Sequence, residues 1–233
     1  MTHLKLLGKA ILGIGSAIAL YLAIVAIWAS LSVSHLLPVF TAGSDLSLLT
    51  REQKNILLKI EDPTFYEHGG LDISQGQGLT TITSSLARNI FLLGDQLPGI
   101  KGGFQSFYRG VFKCCKKVDF GRDVMALVLH HNLSKDQQLK LFVSSIYMGG
   151  NKGAQLRGMP AAANSYFGKP LSNLSHAEFI SLVAMLKSPN YFHPLQGAEQ
   201  LKIRVHRIEK ILAGVCKPRG WFDTSYEHCA GNA

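Results

Sequence analysis

Residues 61 to 70 read Glu61, Asp62, Pro63, Thr64, Phe65, Tyr66, Glu67, His68, Gly69, Gly70, which places three carboxylates and an imidazole within eight residues. Such groups exchange protons with a substrate when burial or a neighbouring charge brings their pKa toward the working pH. Glu61 has two reasons to shift upward: Pro63 makes it a helix end, where the macrodipole is negative, and Asp62 adds like charge. The plainer alternative is a solvated helix end halted by proline, with His68 bonding the backbone ahead of Gly69 and Gly70. A Thr-rich stretch follows, Gly78, Leu79, Thr80, Thr81, Ile82, Thr83.

Helices must position these groups. Thr50 with Gln53 forms a capping box, and Ile56, Leu57 and Ile60 recur at helical spacing until Pro63. Ser134 with Gln137 opens a second helix, striped by Leu139, Phe142, Val143 and Ile146 and ended by Gly149 and Gly150. Ser175 with Glu178 opens a third, carrying Phe179, Leu182, Val183 and Leu186 and stopped by Pro189. The last helix carries Leu201, Val205, Ile208 and Leu212. Nothing alternates with period two over a useful length, so the fold class is mainly α. There is no internal repeat and no low-complexity linker.

Residues 10–34 contain no Asp, Glu, Lys, Arg or His. About 20 apolar residues cross a bilayer core as helix, whereas the apolar part of a signal peptide usually runs only about 7 to 15. The expectation is an uncleaved transmembrane helix over 10–34. Lys5 and Lys9 precede it and the next charged residue is Asp45, so residues 1–9 are expected in the cytoplasm and the remainder outside. Without Lys5 and Lys9, 22 basic residues face 15 acidic ones in the exported part. Anionic headgroups or a phosphorylated substrate suit that surplus, and export excludes nucleic acid as the partner. A domain over 45–215 and a tail over 216–233 complete the division. In an oxidising compartment Cys216 and Cys229 could pair and close that tail. Cys114 and Cys115 with His130 and His131 lack the usual zinc-ligand spacing, so no metal site is assigned.

Residues 101–122 hold six basic residues and one acid, Asp119. Phe104, Phe107, Tyr108, Val111 and Phe112 form an apolar stripe, with Arg109, Lys113, Lys116 and Lys117 off it. This composition predicts a helix in the membrane interface, with a core-facing helix bearing a solvated basic face as the alternative.

Taken together, Glu61, Asp62, Phe65 and His68; Gly78, Thr80, Thr81, Ile82 and Thr83; Ser134 and Lys135; Ile146, Tyr147 and Gly149; Ala162, Ala163, Tyr166, Phe167, Gly168 and Lys169; and Glu178, Pro189, Tyr191 and Pro194 resemble the family 51 glycosyltransferases, the peptidoglycan transglycosylases. The likeness runs from Leu48 to Leu212. It implies a lysozyme-like α domain on the outer face of the bacterial inner membrane, polymerising a lipid-linked disaccharide-pentapeptide (lipid II) and expelling polyprenyl pyrophosphate. By the same resemblance Glu61 is the base that deprotonates the acceptor's 4-hydroxyl, and Asp62, Phe65, His68, Thr80, Thr81 and Thr83 belong to the substrate site. Arg88, Asn89 and Lys187 face the pyrophosphate, Mg2+ or Mn2+ assists, and a transpeptidase or other wall-synthesis protein is the expected partner beside membrane lipid.

This chain departs from the family pattern at several positions. Arg122 stands where the family has a second acid, Val118 and Asp119 where it has an Arg-Lys pair, Ser84 and Ser85 where it has two glutamines, and Ser144 where it has Asn. One reading lets Asp119 or Asp123 take over the second acid's role, with Lys116, Lys117 and Arg122 restoring the positive charge. The other makes the chain a precursor-binding or scaffolding protein of wall synthesis. A glycan-cutting muramidase is a third class, distinguished by release of fragments from finished wall.

Overall fold

The computed structural model describes residues 2–41, 49–72, 81–111, 119–151, 153–220 and 223–230. Helix α1 spans Thr2–Thr41, α2 Arg51–Glu61, and α3 Ile82–Ala87, which runs on into a π-helical turn over Arg88–Leu92. Next come α4 (Gly99–Val111), α5 (Phe120–Asn132) and α6 (Lys135–Ser145). A hairpin of β1 (Tyr147–Asn151) and β2 (Ala154–Arg157) leads to α7 (Met159–Phe167), α8 (His176–Leu186) and α9 (Ala198–Leu212). The mainly α expectation holds. The two strands pair antiparallel with Tyr147 opposite Arg157. Glycines in β1 deprive that strand of an alternating pattern, which is why the sequence did not announce it.

All three capping boxes form, at Thr50, Ser134 and Ser175. Each satisfies two backbone donors that a helix start leaves unpaired, which fixes where α2, α6 and α8 begin. Their apolar faces meet in one core: Ile56, Leu57 and Ile60 of α2 pack with Phe142 and Val143 of α6, Phe179, Leu182 and Val183 of α8, and Ile208 of α9. On α9 the buried residues are Leu201, Arg204, Ile208 and Ile211. The inward face is therefore turned from the expected stripe, leaving Val205 and Leu212 only partly covered.

A second core joins α1 to the domain. Val25, Trp28, Ala29, Val33 and Leu36 are buried against Leu86, Phe91, Tyr108, Met125 and Leu129. Residues 5–20 of the same helix are exposed. Among the described residues one helix is long and apolar enough to cross a membrane, Lys5–Leu37. The part before Val25 rises about 30 Å at 1.5 Å per residue, the thickness of a bilayer core. The apolar run thus divides into a free stretch of spanning length and a stretch docked on protein. Trp28 anchors the docking: its Nε1 donates to the Lys101 carbonyl at 3.0 Å, and its ring lies 5.1 Å from Phe104 and 5.7 Å from Phe91. Trp28→Ala should lower the Tm of the detergent-solubilised chain by about 10 °C, the effect of an emptied aromatic site in a core. Scanning fluorimetry checks this, and an unchanged Tm would show that the helix is not held there.

Helix α4 splits its expected stripe. Gln105 and Tyr108 face the core, whereas Ile100, Phe107 and Val111 are exposed, at 94%, 63% and 51%. Phe112, Lys113, Lys116 and Lys117 lie outside the described residues. Arg109 is tied to the chain through Gln96 and the Gly94 carbonyl, both at 2.8 Å, and Lys101 Nζ donates to the Leu31 carbonyl of α1.

Candidate active site

Helix α2 ends on Glu61, and its C-cap Asp62 is where the chain leaves the helix. Asp62 is buried and committed: Oδ2 accepts from the Ile82 amide at 2.9 Å and Oδ1 from His68 Nε2 at 2.9 Å. The Gly70 amide donates to His68 Nδ1 at 3.0 Å, so this nitrogen is the unprotonated one and Nε2 carries the hydrogen given to Asp62. The pair ties the loop after Pro63 to the start of α3. Gly70 has φ 111°, and a Cβ there would meet the Ala126 carbonyl oxygen at 3.1 Å, so the loop needs glycine at that point. Phe65 is buried in the core with Lys135 Nζ 4.4 Å over its ring. Thr81 caps α3, accepting from the Ser84 amide at 3.0 Å and donating to the Gly70 carbonyl. Thr83 is buried and donates to Gln138 Oε1 at 2.7 Å.

These braces leave Glu61 facing a cleft of about 410 Å3. Its walls include Thr81, Ser85, Arg88, Asn89, Tyr147, Lys187, Arg204, Thr224 and Tyr226. Burial pushes the Glu61 carboxyl up to about 7; the Arg204 guanidinium pulls it down, Asp62 pushes it up, and Lys187 pulls it down. Lys187 is lowered to about 8, by burial first and by Arg204 second, while Glu61 works the other way. Arg88 is held below its usual value by burial and by Arg122 behind it. Asn89 gives its amide to the Ser145 carbonyl at 3.2 Å and hydroxyl at 2.9 Å, and accepts from Arg157 Nη1 at 3.3 Å.

Of the residues singled out in the sequence, Glu61, Thr81, Arg88, Asn89 and Lys187 come together on the cleft. Asp62, Phe65, His68 and Thr83 stand behind it as braces. Thr80, Lys116 and Lys117 lie outside the described residues. Asp119, Arg122 and Asp123 do not line the cleft, and each is engaged elsewhere. Asp119 caps α5, accepting from the Arg122 amide at 3.0 Å and from the Tyr108 hydroxyl. Asp123 Oδ1 accepts from Arg122 Nε at 3.1 Å and Nη2 at 2.8 Å, both side chains being buried. The Arg122 guanidinium thus holds Asp123, the Arg122 amide and the Tyr108 hydroxyl hold Asp119, and neither aspartate lines the cleft with Glu61.

Three wall residues escaped the sequence reading. Arg204 is 2% exposed, with Nε donating to the Ala184 carbonyl at 2.9 Å and Nη1 to the Thr224 carbonyl at 3.0 Å. Its register, three residues after Leu201 and four before Ile208 of the apolar stripe, was the available signal. Thr224 and Tyr226 follow the last helix and gave none.

The cleft does not fit a resident divalent cation. Among its described lining residues Glu61 is the one carboxylate, and it shares the cleft with Arg88, Lys187 and Arg204, whose charge repels a cation, so the protein alone supplies no set that would hold Mg2+ without substrate phosphates. Cys216 and Cys229 are joined in a disulfide, so with nearby His228 they are not a ligand set either.

A carboxyl raised to near neutrality opposite a cationic wall, in a helical domain docked on a membrane-length helix, defines an acid–base site suited to an anionic leaving group. The chain belongs to the transglycosylase family, whose model matches residues 44–213; this is the family 51 likeness of the motifs, and the domain is of its lysozyme-like kind. Over 170 residues the chain is 29% identical to penicillin-binding protein 1B of Vibrio cholerae and 30% identical to that of Escherichia coli, each match covering 67% of this chain. Penicillin-binding protein 1A of Neisseria lactamica is 27% identical over 165 residues, 65% of this chain. The chain spans about a fifth of the length of these relatives, 20%, 18% and 18%.

Proposed function

We propose that the chain is a peptidoglycan glycosyltransferase, polymerising a lipid-linked disaccharide-pentapeptide and releasing polyprenyl pyrophosphate. The observation that carries this reading is Glu61 itself, a carboxyl brought to about 7 on a cleft walled by Arg88, Lys187 and Arg204. Glu61 takes the proton of the acceptor sugar's 4-hydroxyl as its oxygen attacks the anomeric carbon of the growing chain. The bond from that carbon to pyrophosphate breaks, and the cations meet the charge on the departing oxygens. Exposed Ile100, Phe107 and Val111 stand on α4, which meets α1 through Lys101; this supports a substrate whose tail stays in the bilayer, and Lys5 and Lys9 ahead of the apolar run support a domain at the outer face of the inner membrane with residues 1–9 inside.

The test is to incubate the detergent-solubilised full chain with labelled precursor, wild type beside Glu61→Gln. Polymer from the first and none from the second supports the enzyme. Precursor binding without polymer from either supports the scaffolding reading, which the engagement of Asp119 and Asp123 favours, and fragments released from finished wall would indicate a muramidase.

A further inference from the structure

Family likeness ends at residue 213, yet the cleft does not. Past α9 the chain turns back, and the Cys216–Cys229 disulfide closes residues 216–229 into a loop. Within it Thr224 and Tyr226 line the cleft beside Glu61. The Tyr226 hydroxyl donates to the carbonyl of Ile60, the residue before Glu61, at 3.2 Å. Its ring lies 5.5 Å from the Arg204 guanidinium, which in turn donates to the Thr224 carbonyl. Lys187 Nζ donates to Thr224 Oγ1 at 3.0 Å and to Ser225 Oγ. Tyr226 has φ 53°, and it is the one non-glycine among the described residues in the left-handed region. An aromatic residue persists there only where its surroundings fix it, and such strain gathers at functional sites. Here the fixing bonds are the Asp223 carboxylate accepting from the Tyr226 amide at 3.1 Å and the Cys229 amide donating to the Tyr226 carbonyl at 2.9 Å.

We propose that this disulfide-closed tail is a working wall of the active site: Thr224, Ser225 and Tyr226 are positioning residues that hold Lys187 and Arg204 against Glu61. The tail lies outside the residues that the family model matches. The inference rests on the proposed glycosyl transfer, but its geometry can be read without it. The charged groups facing Lys187 are Glu61 from α2, Arg204 from α9, and Asp223 and Glu227 from the tail, and burial is the larger influence on it.

The test uses the full chain in detergent, wild type beside the double variant Cys216→Ser, Cys229→Ser and beside Tyr226→Phe. Two quantities are read: the polymerisation rate, and the pH midpoint of Lys187 acetylation by acetic anhydride, followed by peptide mass spectrometry. Lys187 is an exposed residue whose Nζ the tail covers through Thr224 and Ser225, so opening the loop should raise its midpoint above about 8 as that cover is lost. It should also slow polymerisation by about tenfold to a hundredfold, the upper figure being the loss when positioning slips by about an ångström. Tyr226→Phe keeps the disulfide and the ring, so it should lower kcat by about fivefold, one hydrogen bond's worth, with KM unchanged. An unmoved Lys187 midpoint in the double variant overturns the inference whether or not the wild type polymerises. So does a moved midpoint with an undiminished rate in an active enzyme. If the double variant fails to fold, an unchanged kcat in Tyr226→Phe overturns it instead. A wild type that makes no polymer while the midpoint moves overturns the glycosyl transfer and leaves the tail's positioning role standing.

Discussion

Glu61→Gln should lose about a hundredfold to ten-thousandfold in polymerisation and yet become more stable above pH 7. The loss is that of a general base, which supplies roughly 10^2 to 10^4 in rate, in a cleft where no other described carboxylate lines the wall. The gain follows from linkage. Burial raises the Glu61 carboxyl from 4.5 to about 7, so between those values the folded protein holds a proton that the unfolded chain has released. Stability therefore falls as pH rises through that window, by at most about 3 kcal/mol once Glu61 is fully ionised. Glutamine carries no such cost. Thermal unfolding at pH 5 and pH 8 should show the wild type losing stability across the interval and the variant losing less. The wild-type rate should rise with pH through about 7, because only the ionised carboxylate accepts a proton. A variant that is inactive and less stable at both pH values would point to a structural carboxylate and remove the base from the mechanism.

The parts of this arrangement that the sequence disclosed are those set by contacts between near neighbours. A capping box joins residues three apart, and Pro63 cannot continue a helix, so the starts of α2, α6 and α8 and the placing of Glu61 at a helix end were all legible. What lay beyond reach depends on contacts between distant segments. Tyr226 reaches Ile60 across 166 residues and Lys187 reaches Ser225 across 38, and no spacing rule encodes either. Asp119 and Asp123 show the middle case. Asp119 caps α5 and Asp123 lies in its first turn, but spacing does not say what the other elements present to them. Arg122 and Tyr108 occupy both carboxylates. The same limit explains α4, where an apolar stripe was evident but its division between the core and the exposed edge depended on where α1 docks.

Arg204 is the residue whose loss should be felt most widely after Glu61. It is buried, it satisfies the Ala184 and Thr224 carbonyls, and it packs its guanidinium 5.3 Å from Phe192 and 5.5 Å from Tyr226. Arg204→Met keeps much of the volume but leaves two carbonyls without their donor, which should cost about 2 to 4 kcal/mol of stability. It also removes the largest influence holding the Glu61 carboxyl down. The carboxyl must then rise above its present value, so the rising limb of the rate moves to higher pH; activity at pH 7 falls and is partly recovered at pH 8.5. A structural arginine with no electrical bearing on Glu61 would lower the rate without moving that limb. The two effects separate in a double-mutant cycle at pH 8: with Gln at position 61 there is no carboxylate to strand, so Arg204→Met should cost less stability there than in the wild type. Equal costs in both backgrounds would mean that the guanidinium and the carboxyl do not interact, and that the cationic wall acts on the substrate alone.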